Sequence, residues 1–321
     1  METTHHIVVE KARAGERLDV FVAGAVEGLS RSQAKRLIDD GFVLVEGEES
    51  KPAAKVRAGD EIEVTVPPPE AAELVAEPIP LDVLFEDDSL IAVNKPPGMV
   101  VHPAAGNWTG TLVNALLYHC RQLSESGEPM RPGIVHRLDK DTSGVIVAAK
   151  DTATHWKLAE QFAAREVEKE YRVLVGGVPA QTRLIVKATI ERHPKERKRM
   201  HATEIGGREA ETVLELLEAF DGAAYLRALP KTGRTHQIRV HCAHVHCPVL
   251  GDEVYGRGKA ERRLGLEVPR QMLHAYRLAI THPATGRPVE LTAPLPPDFQ
   301  AILDRLRRGG SRRGAEPAEK E

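Results

Sequence analysis

Nine residues, His136-Arg137-Leu138-Asp139-Lys140-Asp141-Thr142-Ser143-Gly144, stand directly before the apolar run Val145-Ile146-Val147-Ala148-Ala149. The apolar run predicts a buried strand. Charged groups buried beside a strand cost free energy unless they are paired or reach solvent. We therefore predict that residues 136–144 form a loop at the edge of a cleft and that the strand continues from it into the core.

Two carboxylates in this loop, Asp139 and Asp141, are candidates for chemistry. An aspartate before a strand often only shapes the turn, through hydrogen bonds from its side chain to nearby backbone groups. We assign that role to Asp141, which is followed by Thr142-Ser143-Gly144. For Asp139, loop shaping and catalysis both remain open on the local pattern alone.

The stretch from Arg131 to Gly144 resembles the signature of the RluA-type pseudouridine synthases, which isomerise uridine within RNA. In that family the aspartate of the His-Arg-Leu-Asp block is the essential catalytic group, which implies catalysis by Asp139. The arginine of the block helps to displace the target nucleotide, which implies RNA contact by Arg137 and the adjacent His136. A base that leaves its stack vacates a space that a planar cation can fill.

A second segment, Lys169-Glu170-Tyr171-Arg172-Val173-Leu174-Val175, alternates as an amphipathic strand. By period alone Tyr171 is a core tyrosine. The synthases carry a tyrosine in a Lys-x-Tyr block that packs against the target base. This resemblance implies that Tyr171 belongs to the site.

A third segment, from Pro230 to His241, begins as a basic turn with a glycine and predicts a helix capped by Thr235. Such a turn before a helix N-terminus favours anions. The segment resembles the third synthase motif, whose arginine pairs with the catalytic aspartate and corresponds here to Arg239. Pairing of this kind keeps a partly desolvated carboxyl anionic. Two further residues of the turn are expected to contact the RNA backbone: Arg234 and His236.

Residues 15–66 predict a small α/β domain, with two short helices followed by strands. Their order and basic residues resemble the S4 RNA-binding domain, in which a basic helix face grips folded RNA. A solvated charged helix is the ordinary alternative. Asp39 and Asp40 directly follow the basic helix and would repel phosphate. The resemblance implies RNA contact by three residues of that helix: Arg31, Lys35 and Arg36.

Changes in composition set the remaining boundaries. Consecutive prolines open a linker at 67–79. Residues 80–305 predict the catalytic domain, an α+β fold with a mixed, largely antiparallel sheet and flanking helices. We expect a flexible N-terminus at 1–14 and a disordered tail at 306–321.

A basic segment, Glu191-Arg192-His193-Pro194-Lys195-Glu196-Arg197-Lys198-Arg199-Met200, interrupts the catalytic domain. It resembles the basic hairpin of this subfamily, an RNA clamp, although a flexible charged loop is the alternative on charge alone. The resemblance implies RNA contact by Arg197, Lys198 and Arg199.

The composition is that of an ordinary soluble chain of 321 residues, with a formal net charge of −3. Contact with RNA must therefore come from local basic patches. Three cysteines without regular spacing favour a reducing compartment. Neither a membrane-spanning apolar stretch nor the pattern of a secretion signal is present. We predict a cytoplasmic protein that has no membrane partner.

Two metal-dependent alternatives are disfavoured. Asp139-Lys140-Asp141-Thr142 fits the start of a magnesium-dependent phosphotransferase of the haloacid dehalogenase type, but polar residues rather than an apolar strand precede Asp139. Magnesium also requires further carboxylates nearby, and Gly251-Asp252-Glu253 is a weak candidate for them. The cluster His241-Cys242-x-His244-x-His246-Cys247 invites zinc, but its donors point in several directions on a helix. We predict no metal site.

The sequence as a whole predicts an RNA pseudouridine synthase without a cofactor or an obligate protein partner. An S4-like module joined to this catalytic half most resembles the RluD branch, which implies large-subunit (23S) ribosomal RNA or a ribosomal precursor as the substrate. The same chemistry on another ribosomal or transfer RNA site is one alternative. A non-catalytic S4-type RNA-binding protein is the other, disfavoured because Asp139, Tyr171 and Arg239 occur together.

Overall fold

The chain folds into two compact units, Met1–Glu73 and Leu74–Glu321. The computed structural model describes residues 3–67, 74–104, 106–125, 130–194, 196, 199–203 and 206–310.

The first unit is a small α/β domain built on an antiparallel sheet. Ser30 caps its second helix, since the hydroxyl accepts from the backbone N–H of Gln33. The elements are α1 (Leu18–Ala25), α2 (Arg31–Asp39), β1 (Thr3–Val8), β2 (Val43–Val45), β3 (Glu48–Glu49) and β4 (Glu61–Val66). The strand order is β1-β4-β2-β3.

The prediction of a flexible N-terminus at 1–14 is wrong for the described residues. Strand β1 pairs with β4 along its whole length, from Thr3 opposite Val66 to Val8 opposite Glu61. Val9 then enters the apolar core of the unit. The alternation along β1 is weak because its histidines and threonines are polar, but pairing satisfies the backbone groups that face β4.

The second unit contains one large sheet with helices around it. Its strands are β5 (Val83–Glu86), β6 (Leu90–Lys95), β7 (Ser143–Ala149), β8 (Glu168–Gly176), β9 (Arg183–Arg192), β10 (Met200–Thr203), β11 (Arg208–Phe220), β12 (Ala223–Pro230), β13 (Leu273–Thr281) and β14 (Pro288–Thr292). Its helices are α3 (Leu112–His119), α4 (Thr152–Ala164), α5 (Gln237–His244), α6 (Lys259–Leu264) and α7 (Pro297–Gly310).

The ten-stranded sheet has the order β10-β9-β11-β12-β8-β13-β7-β6-β5, with β14 paired to β13. Among the described strand pairs, β7 and β13 run parallel and the others run antiparallel. The predicted mixed, largely antiparallel α+β fold is therefore confirmed.

Strand β7 is the apolar run predicted from the sequence, and all seven of its residues are buried. It begins at Ser143, where the polar loop ends. Gly144 has a φ of +113°, and a Cβ atom there would lie 2.1 Å from the carbonyl oxygen of Ala275 on β13. Only glycine fits at this point because the two parallel strands approach so closely.

Two predicted boundaries of the catalytic domain need correction. The linker predicted at 67–79 is too long, because the side-chain amide of Asn114 donates to the carbonyl of Val75, and the backbone N–H of Glu77 donates to the carbonyl of Asn114. The tail predicted from 306 begins too early, because α7 continues to Gly310 and Leu306 packs in the core. The rest of the predicted tail, 311–321, lies outside the described residues.

Candidate active site

Asp139 lies in the loop before β7, as predicted, and a buried lysine holds the backbone of that loop. Lys95 ends β6 and is fully buried. Its ammonium group donates to the carbonyl oxygens of Pro96, Met99 and Lys140 at 2.8, 2.9 and 3.0 Å. Since Lys140 follows Asp139, this contact fixes the peptide next to the carboxylate.

A buried arginine holds the other side of the same loop. Arg270 donates from Nη1 to the carbonyl of Asp141 at 2.9 Å. Asp298 at the start of α7 orients the guanidinium with two hydrogen bonds of 2.7 and 3.0 Å. The loop is thus anchored by strand β6 on one side and by the segment before β13 on the other.

Arg239 joins the Asp139 carboxylate from helix α5, as predicted. Its Nη1 donates to Oδ2 of Asp139 at 3.0 Å. Its Nε and Nη2 donate to the two carboxylate oxygens of Asp252 at 2.7 and 3.0 Å. Burial disfavours the charge of Arg239, but these hydrogen bonds and the two negative charges raise its pKa above the usual range.

Tyr171 completes the predicted group of three. It lies on β8, packs against two apolar clusters of the core and also faces the cavity that contains Asp139. Burial raises the pKa of its phenol, and the charge of Asp139 raises it further. Tyr171 is therefore a neutral ring at working pH, and the two interpretations of it from the sequence, core and site, both describe it.

The cavity has a volume of about 430 Å³, within the range of about 300–1,000 Å³ typical of small-ligand sites. All three predicted motifs line it. The predicted site residues on its wall are His136, Arg137, Asp139, Tyr171, Arg234, His236 and Arg239.

His136 and Arg137 differ in character although they are adjacent. The Nε2 atom of His136 accepts from the backbone N–H of Val147 at 3.0 Å, and its ring stacks on Phe162 at 4.6 Å. Burial, aided by the charge of Lys169, lowers the pKa of His136 to about 3. His136 is thus a neutral part of the wall and adds no positive charge for RNA, whereas Arg137 is exposed.

The predicted cap of α5 by Thr235 is wrong. The N-cap residue is His236, in a left-handed conformation and without a side-chain capping bond. The turn is instead held by Gln237, whose buried amide oxygen accepts from the hydroxyl of Thr232 and from the N–H of Arg234. Because Gln237 holds the turn from inside the fold, the turn needs no local capping side chain.

The basic segment of the catalytic domain joins β9 to β10, which form an antiparallel hairpin. Arg199 stands just before β10, with its guanidinium 3.6 Å from Glu196 and over the ring of Tyr255 at 5.7 Å. The predicted contact residues Arg197 and Lys198 lie outside the described residues.

The three predicted contact residues of α2 each stand beside a carboxylate. Arg31 is 3.0 Å from Asp19, which is buried. The pairs Lys35–Asp39 and Arg36–Asp40 have distances of 3.9 and 3.4 Å and are exposed. The attraction within an exposed ion pair is weak, so Lys35 and Arg36 remain accessible to phosphate.

The residues of the disfavoured zinc cluster have other roles in the fold. Cys242 and Cys247 belong to the apolar core, and Nδ1 of His241 lies 2.9 Å from the hydroxyl of Thr212. Within the part of the chain that the structure describes, no group of three or more His, Cys, Asp or Glu could hold a metal ion. The helices described there include none that is long and apolar enough to cross a bilayer.

Comparisons with known proteins give the family. A model of RNA pseudouridylate synthases matches residues 89–244, and a model of the S4 domain matches residues 16–62. The uncharacterized RNA pseudouridine synthase YlyB of Bacillus subtilis is 41% identical over 304 residues, which cover 95% of this chain and 98% of the relative. The chain belongs to the RNA pseudouridine synthases. This synthase is therefore an isomerase that acts on RNA, and the phosphotransferase alternative is not favoured.

Further comparisons agree with the fold and branch. Ribosomal large subunit pseudouridine synthase D of Neisseria meningitidis serogroup A is 43% identical over 305 residues, covering 92% of this synthase and 79% of the relative. The solved structure of human RNA pseudouridylate synthase domain containing 4 is 27% identical, with a TM-score of 0.56. It covers 70% of this synthase and 92% of the human chain.

The sequence interpretation missed the buried residues that bind Arg239 or the loop that contains Asp139. Asp252 was considered only as a magnesium ligand, yet it is the buried partner of Arg239. Lys95 and Arg270 were not considered, although both hold the loop that contains Asp139. The signal available in the sequence was a charged residue within an apolar context, as at the end of Leu90-Ile91-Ala92-Val93-Asn94-Lys95.

Proposed function

We propose that this synthase isomerises specific uridines of large-subunit (23S) ribosomal RNA, or of its precursor, in the cytoplasm. The observation that carries the proposal is the Asp139 carboxylate, 3.0 Å from Arg239 in a cavity shared with Tyr171. Relatives at 43% and 41% identity, from Neisseria meningitidis and Zymomonas mobilis, are named ribosomal large subunit pseudouridine synthase D. The three cysteines are buried and free, which fits a reducing compartment.

Asp139 is the catalytic residue in this proposal. It promotes cleavage of the bond between N1 of uracil and C1′ of the ribose, after which the uracil rotates in place and rejoins through C5. The proton on C5 is lost and N1 gains a proton, so the reaction needs no oxidant or group donor. Direct attack on C1′, attack on the base and removal of a ribose proton all use a carboxylate in this position.

Arg239 and Tyr171 shape the environment of that carboxylate. Arg239 binds Oδ2 of Asp139, and the other oxygen, Oδ1, lies 4.0 Å from Nε2 of His236. The half-buried ring of Tyr171 offers an apolar face on which a uracil can stack. Together these two residues hold an anion and a flat base next to each other.

The target nucleotide must leave its stack to reach Asp139, at a cost of a few kcal/mol. Arg137 is exposed on the wall of the cavity and can occupy the vacated space with its planar cation. Cations on the turn, the hairpin and the S4 helix then bind the surrounding phosphates. In this proposal these residues are Arg234, Arg199, Arg31, Lys35 and Arg36.

The test uses the parent protein, Asp139→Asn, and Asp88→Asn as an exposed control carboxylate. Each is incubated with transcribed large-subunit rRNA, small-subunit rRNA and transfer RNA, and pseudouridine is mapped by carbodiimide labelling. We expect discrete sites in large-subunit rRNA for the parent and Asp88→Asn and none for Asp139→Asn. Sites only in another RNA would change the proposed target. Equal modification by Asp139→Asn would remove Asp139 from the mechanism, and binding without modification by the parent would favour the non-catalytic alternative.

A further inference from the structure

The hydroxyl of Tyr255 connects the basic hairpin to the cavity wall. The backbone N–H of Met200, the first residue of β10, donates to this oxygen at 2.9 Å. Nδ1 of His236 lies 3.0 Å from the same oxygen. On the other side of the imidazole, Nε2 faces Oδ1 of Asp139 at 4.0 Å. One phenol therefore stands between the hairpin and a histidine that faces the catalytic carboxylate.

The location of the histidine proton follows from the partners of both ring nitrogens. A tyrosine hydroxyl has one proton, and since the oxygen already accepts from Met200, it can donate that proton to Nδ1 of His236. A neutral imidazole then carries its own proton on Nε2. An unprotonated Nε2 would direct a lone pair at the carboxylate of Asp139, whereas Nε2–H is attracted to it. Both contacts thus select the same tautomer.

We propose that Tyr255 fixes His236 as a hydrogen-bond donor whose Nε2–H points to Asp139 and to an acceptor oxygen of the target nucleotide. The second half rests on the proposed function. His236 is then a residue that contacts substrate, and Tyr255 is a positioning residue that acts through it.

The backbone of His236 supports a role for its side chain. Its φ of 56° and ψ of 17° lie in the left-handed region, which favours glycine or asparagine over histidine. A residue held in that region is kept there by its surroundings, and such positions cluster at functional sites. The conformation directs the imidazole between Tyr255 and Asp139.

Asp252 contacts both the backbone of Tyr255 and the guanidinium of Arg239, the partner of Asp139. Its Oδ1 accepts from the backbone N–H groups of Val254 and Tyr255, both at 3.0 Å, while its two oxygens also bind Arg239. The carboxylate that orients Arg239 therefore also sets the position of Tyr255. Because Met200 is the last residue of the basic segment, a shift of the hairpin on RNA would act on the same hydroxyl.

The first experiment determines the tautomer directly and needs no RNA. The full chain is labelled with ¹⁵N-histidine, and long-range proton–nitrogen spectra are recorded near neutral pH, where protonated and unprotonated ring nitrogens resonate separately. His236→Gln assigns the resonances. We expect a proton on Nε2 and a bare Nδ1 in the parent, and a mixture of tautomers in Tyr255→Phe. A protonated Nδ1 in the parent would overturn the proposal.

The second experiment measures single-turnover rate and RNA affinity on the RNA that the parent modifies. Tyr255→Phe keeps the ring, which lies 5.2 Å from the guanidinium of Arg239, but removes the hydroxyl. We expect the rate constant to fall about 10-fold and the dissociation constant to change by less than about 2-fold. Tyr118→Phe, on an exposed tyrosine of α3, is the matched control and should behave as the parent.

A conservative replacement separates donation from packing. His236→Gln retains an N–H donor and should lose less activity than His236→Leu. Equal rates for the parent and Tyr255→Phe, or equal loss in both His236 variants, would contradict the proposal. If the parent modifies no RNA but shows the expected tautomer, the tautomer assignment is supported and the proposed function fails.

Discussion

Arg239 makes two hydrogen bonds to Asp252 and one to Asp139. The fully buried carboxylate of Asp252 thus fixes the guanidinium before any substrate arrives, and Asp139 meets a cation whose direction is already set. Preorganised charge of this kind stabilises a reacting group without reorganisation during the reaction. The orientation of Arg239 toward Asp139 therefore depends on Asp252, which does not line the cavity.

We expect Asp252→Asn to destabilise the protein by about 3 kcal/mol, because removing one partner of a buried ion pair leaves the other poorly compensated. Pseudouridine formation should fall as well, since Arg239 loses its orientation. Urea unfolding and single-turnover rates measure the two effects. Glu253→Gln changes an exposed neighbouring carboxylate and should match the parent in both. A variant Asp252→Asn as stable as the parent would contradict the prediction.

Tyr171→Phe should retain the fold and much of the activity, whereas Tyr171→Ala should cost about 3–5 kcal/mol of stability and abolish turnover. The ring packs against core clusters on β8, so its removal leaves a cavity beside Asp139. Because burial raises the pKa of the Tyr171 phenol, it stays neutral, and the alkaline side of the pH–rate profile should be the same in the parent and Tyr171→Phe. A shifted alkaline limb in Tyr171→Phe would show that the phenol titrates in the reaction.

Lys95→Met should remove a pH-dependent part of the stability. Burial lowers the pKa of Lys95 to about 7, although the charges of Asp141 and Asp139 oppose the shift. In the unfolded chain the same amine titrates at about 10.4. Between these values the unfolded state binds more protons, so the lysine makes the free energy of unfolding rise with pH.

The difference in unfolding free energy, parent minus Lys95→Met, should therefore grow as the pH is raised from about 7 to about 10. Chemical denaturation at several pH values measures it. Lys140→Met, which removes an exposed lysine from the same loop, is the matched control for the loss of a lysine side chain. Parallel pH curves for the parent and Lys95→Met would contradict the expectation.

The S4-like unit should bind RNA more tightly when Asp39 and Asp40 are neutralised. Their carboxylates lie beside Lys35 and Arg36 and compete with phosphate for these cations. We expect the double change Asp39→Asn, Asp40→Asn to tighten binding about 2- to 5-fold at low salt. Filter binding across a salt series measures this effect.

A matched control changes two exposed acids elsewhere in the unit, Glu10→Gln and Glu27→Gln, which alters net charge equally. If both doubles tighten binding alike, the effect belongs to net charge and not to the α2 surface.

The meeting of Asp139, Tyr171 and Arg239 at one cavity could be expected from the sequence because each residue lies in a short segment with its own pattern. Asp139 precedes an apolar run, Tyr171 lies in an alternating strand, and Arg239 follows a basic turn. Each pattern is local, and only the resemblance to known synthases indicated that the three segments form one site. Strands β7 and β8 were predicted for the same reason.

The supporting residues could not be predicted because their partners are distant in the chain. Arg270 binds the carbonyl of Asp141, which lies 129 positions earlier, and Lys95 binds that of Lys140, 45 positions later. The apolar context of Lys95 marks it as an unusual charge but does not identify the carbonyl groups that it binds. The same holds for β1, whose polar residues gain their order from pairing with β4.

The parallel contact between β7 and β13 places the starts of these strands at one edge of the sheet. The residues just before each strand therefore meet there, and the side chains of Arg270 and Gln271 bind Asp141 and Thr142. During translation, a nascent polypeptide that has emerged only as far as α6 carries the entire catalytic loop but none of these anchors. The loop can gain these two contacts only after the ribosome has synthesised the chain beyond Gln271.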